Sequence, residues 1–128
     1  MKQLRALLLL AIASSVNLAA QDAKIHVQVN SDKCGDVVGI AFAHQVREAL
    51  RNSAGFVLDI TSPINLSIVC VDPFKGVDSG TATVASVAIT RSTDCGVLYI
   101  NQLVVTVPAK LAAKQAAFVL ASLDNTFH

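Results

Sequence analysis

No stretch of this sequence stays apolar for the ~20 residues that a membrane-spanning helix requires. The apolar run near its start, residues 6–13, is well short of that length. A cationic excess is missing too. Ten Lys and Arg stand against nine Asp and Glu, and without residues 1–20 the basic count falls to eight, for a net charge of −1. The charges are scattered, so the chain lacks the cationic surface by which a protein releases counterions from a nucleic acid or an anionic membrane. No HExxH pair, Gly-rich phosphate loop, CxxC pair or glycine-flanked serine occurs, which removes the specific chemistries those motifs perform. No catalytic residue is assigned, and nothing in the sequence requires a cofactor. Repeats, low-complexity segments and dividing linkers are absent, so one small domain accounts for residues 21–128.

What the chain does have begins with a leader. Lys2 and Arg5 precede the apolar run, and small residues lead up to Gln21. That is the three-part pattern of a secretory signal peptide. Cleavage after Ala20 makes residues 1–20 the leader, with Ala11-Ile12-Ala13 as a competing small-x-small site. No cysteine follows the run, so the lipoprotein form of such a signal is not present. The expected product is soluble and periplasmic or secreted.

Residues 36–56, DVVGIAFAHQVREALRNSAGF, organise the rest. Val38, Phe42, Val46, Ala49 and Leu50 recur at helical spacing, and polar residues fill the other face. Asp36 is placed to cap the first turn, and Gly55 to end the helix in a left-handed conformation. Residues 24–29 alternate Ile25, Val27 and Val29 against Lys24, His26 and Gln28, which predicts a strand. Residues 30–35 have loop composition. Residues 56–59 could form a short edge strand before Ser62-Pro63. Residues 64–71 alternate Ile64, Leu66, Ile68 and Cys70 on one face, a second main strand running parallel to the first because a crossover helix joins them. Residues 81–91 are rich in Thr, Val and Ala and read as a strand. After a turn at 92–96, residues 97–107 carry apolar side chains on both faces, which predicts a central or doubly covered strand. Asn101-Gln102 marks a bulge there. Pro108 opens a helix over about 109–123, with Ala109, Ala112, Ala116, Val119, Leu120 and Leu123 as its buried stripe.

These elements predict an α/β fold, a two-layer sandwich of order β-α-β-β-β-α. Its four-stranded mixed sheet has both helices packed on one face.

Candidate sites are few. Cys34 and Cys70 both fall near the carboxyl ends of strands, whereas Cys95 lies in a turn at the opposite end of the sheet. An odd cysteine count in an oxidising compartment allows one internal bridge and a leftover thiol. A Cys34–Cys70 disulfide is the pairing that topology favours; the alternative leaves Cys70 a buried thiol acting as a small hydrophobe. Leu111 and Phe118 project off the buried stripe of the last helix, seven residues apart, and together form a candidate partner-binding patch. Asp72 and Asp78, with the hydroxyls of Ser79 and Thr81, are weak candidates for calcium ligands, because Pro73, Phe74 and Lys75 interrupt the donor alternation that a calcium loop needs. His26, His44 and His128 are read as exposed, with no nucleophile or carboxylate tied to them by spacing. Asn65-Leu66-Ser67 formally matches a glycosylation acceptor inside a strand.

The element order, the phrase VREALRNSAGFVLD, the strand end SIVCVDP and the closing AAFVLASLDNTF together resemble small exported bacterial α/β proteins of unknown function. More distantly, the helix ending in a Ser-x-x-Phe phrase before a sheet resembles the amino-terminal domain of the TolB translocation protein and the core of the curli-secretion lipoprotein family. The resemblance implies a periplasmic domain that works through contacts with an envelope protein and not through catalysis. The lipoprotein cysteine of the one family and the propeller of the other have no counterpart here. The expectation is therefore a non-enzymatic interaction or assembly module. The alternative is a small secreted enzyme or ligand-binding protein that uses the loop at 72–81.

Overall fold

The computed structural model describes residues 23–74 and 76–128, so the leader expected at 1–20 lies outside the described residues. Alternation builds β1 (Ile25–Lys33), with Val27 fully buried and Ile25 and Val29 packed against the core. The strand runs past Val29 through the residues predicted as loop. Asn30 and Lys33 pair with Ser67 and Val69, and a register shift between them takes up the intervening polar residues as a bulge. Pairing with a neighbour outweighs local composition there.

The helix α1 (Val37–Arg51) starts as its sequence requires. Asp36 is extended, and its Oδ2 accepts the Gly39 N–H at 2.9 Å, satisfying one of the orphan donors of the first turn. Val38, Phe42, Ala43, Val46 and Leu50 are buried beneath it. Its end differs from expectation. The helix stops at Asn52 in a right-handed conformation, and Gly55 is not among the residues with positive φ. Gly55 instead starts a strand pairing, its carbonyl accepting the Ile25 N–H at 2.8 Å.

That pairing adds a fifth strand to the four expected. β2 (Phe56–Leu58) lies parallel to β1, with Ile25 opposite Phe56 and Val27 opposite Leu58. Three residues are too few for alternation to reveal, so its existence rests on backbone pairing alone. The chain then crosses to the other side of β1 and enters β3 (Ile64–Val71), also parallel to β1. β4 (Ala82–Thr93) and β5 (Gly96–Pro108) follow antiparallel, joined by a turn at Asp94 and Cys95. The mixed sheet has the order β2-β1-β3-β4-β5.

β5 departs most from expectation, because the strand predicted to be central or covered on both sides is the edge of the sheet. Its bulge falls at Ile100, one residue before Asn101, since Ile89 pairs with Asn101 and Thr90 with Tyr99. Pro108 closes β5 instead of opening the helix. A 3-10 turn (Ala109–Leu111) intervenes, and α2 (Ala112–Phe127) follows. Ala109 is thus exposed, while Ala112, Ala116, Val119 and Leu123 form the buried stripe and Leu120 is half-buried. At the far end the Phe127 ring meets Phe56 edge-on, centroids 6.4 Å apart.

Strand register decides which face is core. Leu66 stands opposite Ile89, Ile68 opposite Val87, Cys70 opposite Ala85, and Ala85 opposite Val105. All of these are in one cluster with the buried residues of both helices. The other face carries Gln28, Asn65, Ser67, Ser86, Gln102 and Val104, with no second layer over it among the described residues. The result is the expected two-layer sandwich, with both helices on one side.

Candidate interaction surface

The loop after β3 is organised by Asp72. Its Oδ1 accepts the Phe74 N–H at 2.9 Å, and its Oδ2 accepts the Ser79 hydroxyl at 2.9 Å and the Gly80 N–H at 2.7 Å. The bonds from Phe74 and Gly80 hold its carboxyl below the usual range. Both oxygens are therefore engaged in closing the loop. Asp78 sits in a 3-10 turn (Gly76–Asp78), where its carbonyl accepts the Thr81 hydroxyl at 2.6 Å. Among the described residues no three His, Cys, Asp or Glu side chains come together as a metal site.

A carboxylate does meet His26, which its sequence spacing concealed. Residues His26 and Asp59 are 33 apart, on β1 and just past β2, and parallel pairing brings His26 Nδ1 within 2.8 Å of Asp59 Oδ2. Asp59 Oδ1 accepts both the hydroxyl of Thr61, at 2.6 Å, and its N–H, at 2.9 Å. The Thr61 hydroxyl first, then His26 and the Thr61 N–H, lower the Asp59 pKa from 3.8 to about 2. Next to it the Ser62 hydroxyl donates to the His26 carbonyl at 2.6 Å, and Gln28 Nε2 donates to the Ser62 carbonyl at 2.9 Å. These bonds fasten the crossing segment onto β1. His44 is exposed on α1, and His128 Nε2 lies 3.8 Å from Asp124.

Cys34 and Cys70 form a disulfide, with Cα atoms 4.5 Å apart, and both are buried. Cys95 is a free, exposed thiol at the β4–β5 turn. Asn65 is in β3, in the middle of the sheet, so the formal glycosylation acceptor is folded into a strand.

Leu111 and Phe118 are both exposed, at 41 % and 54 %. Leu111 belongs to the 3-10 turn and not to α2, so the two do not share one helix surface as their spacing suggested. A larger exposed apolar surface lies on β5, where Val97, Leu98, Tyr99 and Val104 are between 57 and 71 % exposed. The strand has no charged residue over its whole length. Its free edge can be assigned from register. Thr93 pairs with Gly96 across the turn, and the Ala109 N–H donates to the Thr81 carbonyl at 2.9 Å. Antiparallel alternation then turns the backbone groups of Leu103, Val105 and Val107 toward β4, and those of Gln102, Val104 and Thr106 outward. The opposite edge of the sheet is short. β2 is only three residues long, and beyond it Arg47 reaches from α1 to bond the Ser31 hydroxyl at 2.8 Å and the Val29 carbonyl at 3.4 Å.

No family model matches the chain. No curated protein matches it either. Among solved structures, the chain is similar to the hypothetical protein CT253 from Chlamydia trachomatis, at 11 % identity and a TM-score of 0.47, over 66 % of this chain and 72 % of that one.

Proposed function

We propose that this chain is an exported, non-catalytic domain of the cell envelope that works by binding protein. Its contact is the outer edge of β5 with the adjoining hairpin, and Leu111 and Phe118 extend it. One observation carries this reading: an uncharged edge strand, open to solvent over Val97, Leu98, Tyr99 and Val104. Natural sheets blunt such edges with charge, proline, shortness or a cover, because unpaired N–H and C=O groups recruit another chain. Here the β2 side of the sheet ends in a three-residue strand, whereas β5 runs for 13 residues without a charge, with a bulge at Ile100 and a proline only at its last position. Strand addition to an open edge is a recurring mode of protein recognition. Working through protein contacts and not through catalysis is also what the resemblance to the TolB amino-terminal domain and the curli-secretion lipoproteins implies.

The test is capture from the native envelope with three versions of the domain: the wild type, a Val97→Ser/Tyr99→Ser pair and a Leu111→Ser/Phe118→Ser pair. A discrete partner held by the wild type and lost with the β5 pair supports the assignment. Loss with the helical pair alone moves the contact to Leu111 and Phe118. Equal capture by all three versions contradicts both. Calcium binding at the 72–81 loop has less support, since both carboxylate oxygens of Asp72 already bond within the loop.

A further inference from the structure

We infer that the partner of the β5 edge is a second copy of this chain, joined antiparallel about a two-fold axis close to Gln102 so that two sheets become one. The inference rests on reading β5 as the contact edge. A two-fold axis makes the interface self-complementary, so whatever stands at one end of the strand meets what stands at the other end in its mate. β5 itself carries no charge and cannot repel its own copy. The charges nearest its ends are of opposite sign: Asp94 in the turn before it and Lys110 in the 3-10 turn after it. Both are exposed, and among the described residues neither takes part in an ion pair.

Gln102 is midway between them in sequence. An antiparallel pairing centred there sets Asp94 of each copy beside Lys110 of the other, twice in the dimer. The bulge at Ile100 shifts this alignment by about one residue, or ~3.3 Å, which a lysine side chain spans. Like-signed ends would have forbidden such a pairing, since juxtaposed like charges oppose association. The outward backbone groups of Gln102, Val104 and Thr106 supply the hydrogen bonds at the centre. Val104 and Tyr99, exposed on the uncovered side of the sheet, continue that face across the junction.

The test is sedimentation equilibrium of the exported chain in a Cys95→Ser background, which removes dimers made only by oxidation of the free thiol. The expected wild-type behaviour is a reversible, concentration-dependent dimer. Val104→Pro removes one outward N–H without touching a bond to β4, and is expected to leave a folded monomer. Asp94→Lys is expected to weaken the dimer about tenfold, and Asp94→Lys with Lys110→Asp to restore it. If Val104→Pro fails to fold, the charge reversal and its rescue decide. A wild type that is monomeric at every concentration overturns the inference, as does a dimer indifferent to the charge reversal. A monomeric wild type that still captures a different envelope protein through Val97 and Tyr99 removes self-pairing and leaves the contact edge standing. If nothing is captured either, both readings fall.

Discussion

At Gly39 α1 lies close against the sheet. A Cβ there would stand 2.6 Å from Cys70 Cβ, 3.0 Å from its sulfur and 2.6 Å from Asp36 Oδ1, the carboxylate oxygen that does not make the cap. The absence of a side chain lets the start of the helix rest on the disulfide, and the cap and the bridge are built around that contact. Gly39→Ala is expected to cost about 1–3 kcal/mol through overpacking, measured as a lower urea midpoint with an unchanged slope. An unchanged midpoint would mean that the helix can lift off at no cost. Asp59 carries a different prediction. Its folded pKa, about 2, lies below the ordinary 3.8. Its contribution to stability is therefore complete above the unfolded value and is lost as pH falls from 3.8 through about 2. Asp59→Asn should flatten the acid limb of a stability curve over that interval. Parallel curves for wild type and variant would show that the bonds from Thr61 and His26 do not discriminate the folded state.

Among the elements, α1 was the most legible, because Asp36 and the period of Val38, Phe42, Val46 and Leu50 are local signals that tertiary context did not override. Its end was not, since Gly55 is used by the β2 pairing. Strands whose alternation matched their burial, β1 and β3, were also readable. The short edge strand that residues 56–59 suggested is β2, although three residues are too few to carry a period. β5 misled for a physical reason: apolar residues on both faces mean a buried strand only when something covers both faces, and an edge strand offered to another chain has the same composition. The His26–Asp59 pair was hidden because parallel pairing joins residues far apart in sequence. The disulfide makes a prediction at this scale. It closes a loop with a sequence separation of 36 that contains α1 and β2. By chain entropy this is worth about 4 kcal/mol. Replacing both Cys34 and Cys70 by Ala should lower the unfolding free energy by roughly that amount. A loss near zero would show that the core holds α1 in place unaided.

The whole molecule is asymmetric in two directions. One face of the sheet is covered by both helices, and among the described residues no layer lies over the other; one edge is the three-residue β2, with Asp59 and Arg47 bonded to β1 beside it, and the other is the 13-residue β5. No described helix is long and apolar enough to cross a membrane. Calcium should leave the melting temperature unchanged, because a ligand raises it only by binding the native state, and the Asp72 carboxylate is already engaged in its own loop. A calcium-dependent rise would reinstate the loop as a site. Most direct is photo-cross-linking in the intact envelope from a reactive group placed at Tyr99, compared with the same group at Ile60, a control beside the β2 edge that at 90 % exposed is the more accessible of the two. A contact edge at β5 gives a discrete adduct from Tyr99 and none from Ile60. Equal adducts from both positions, or none from either, would contradict it.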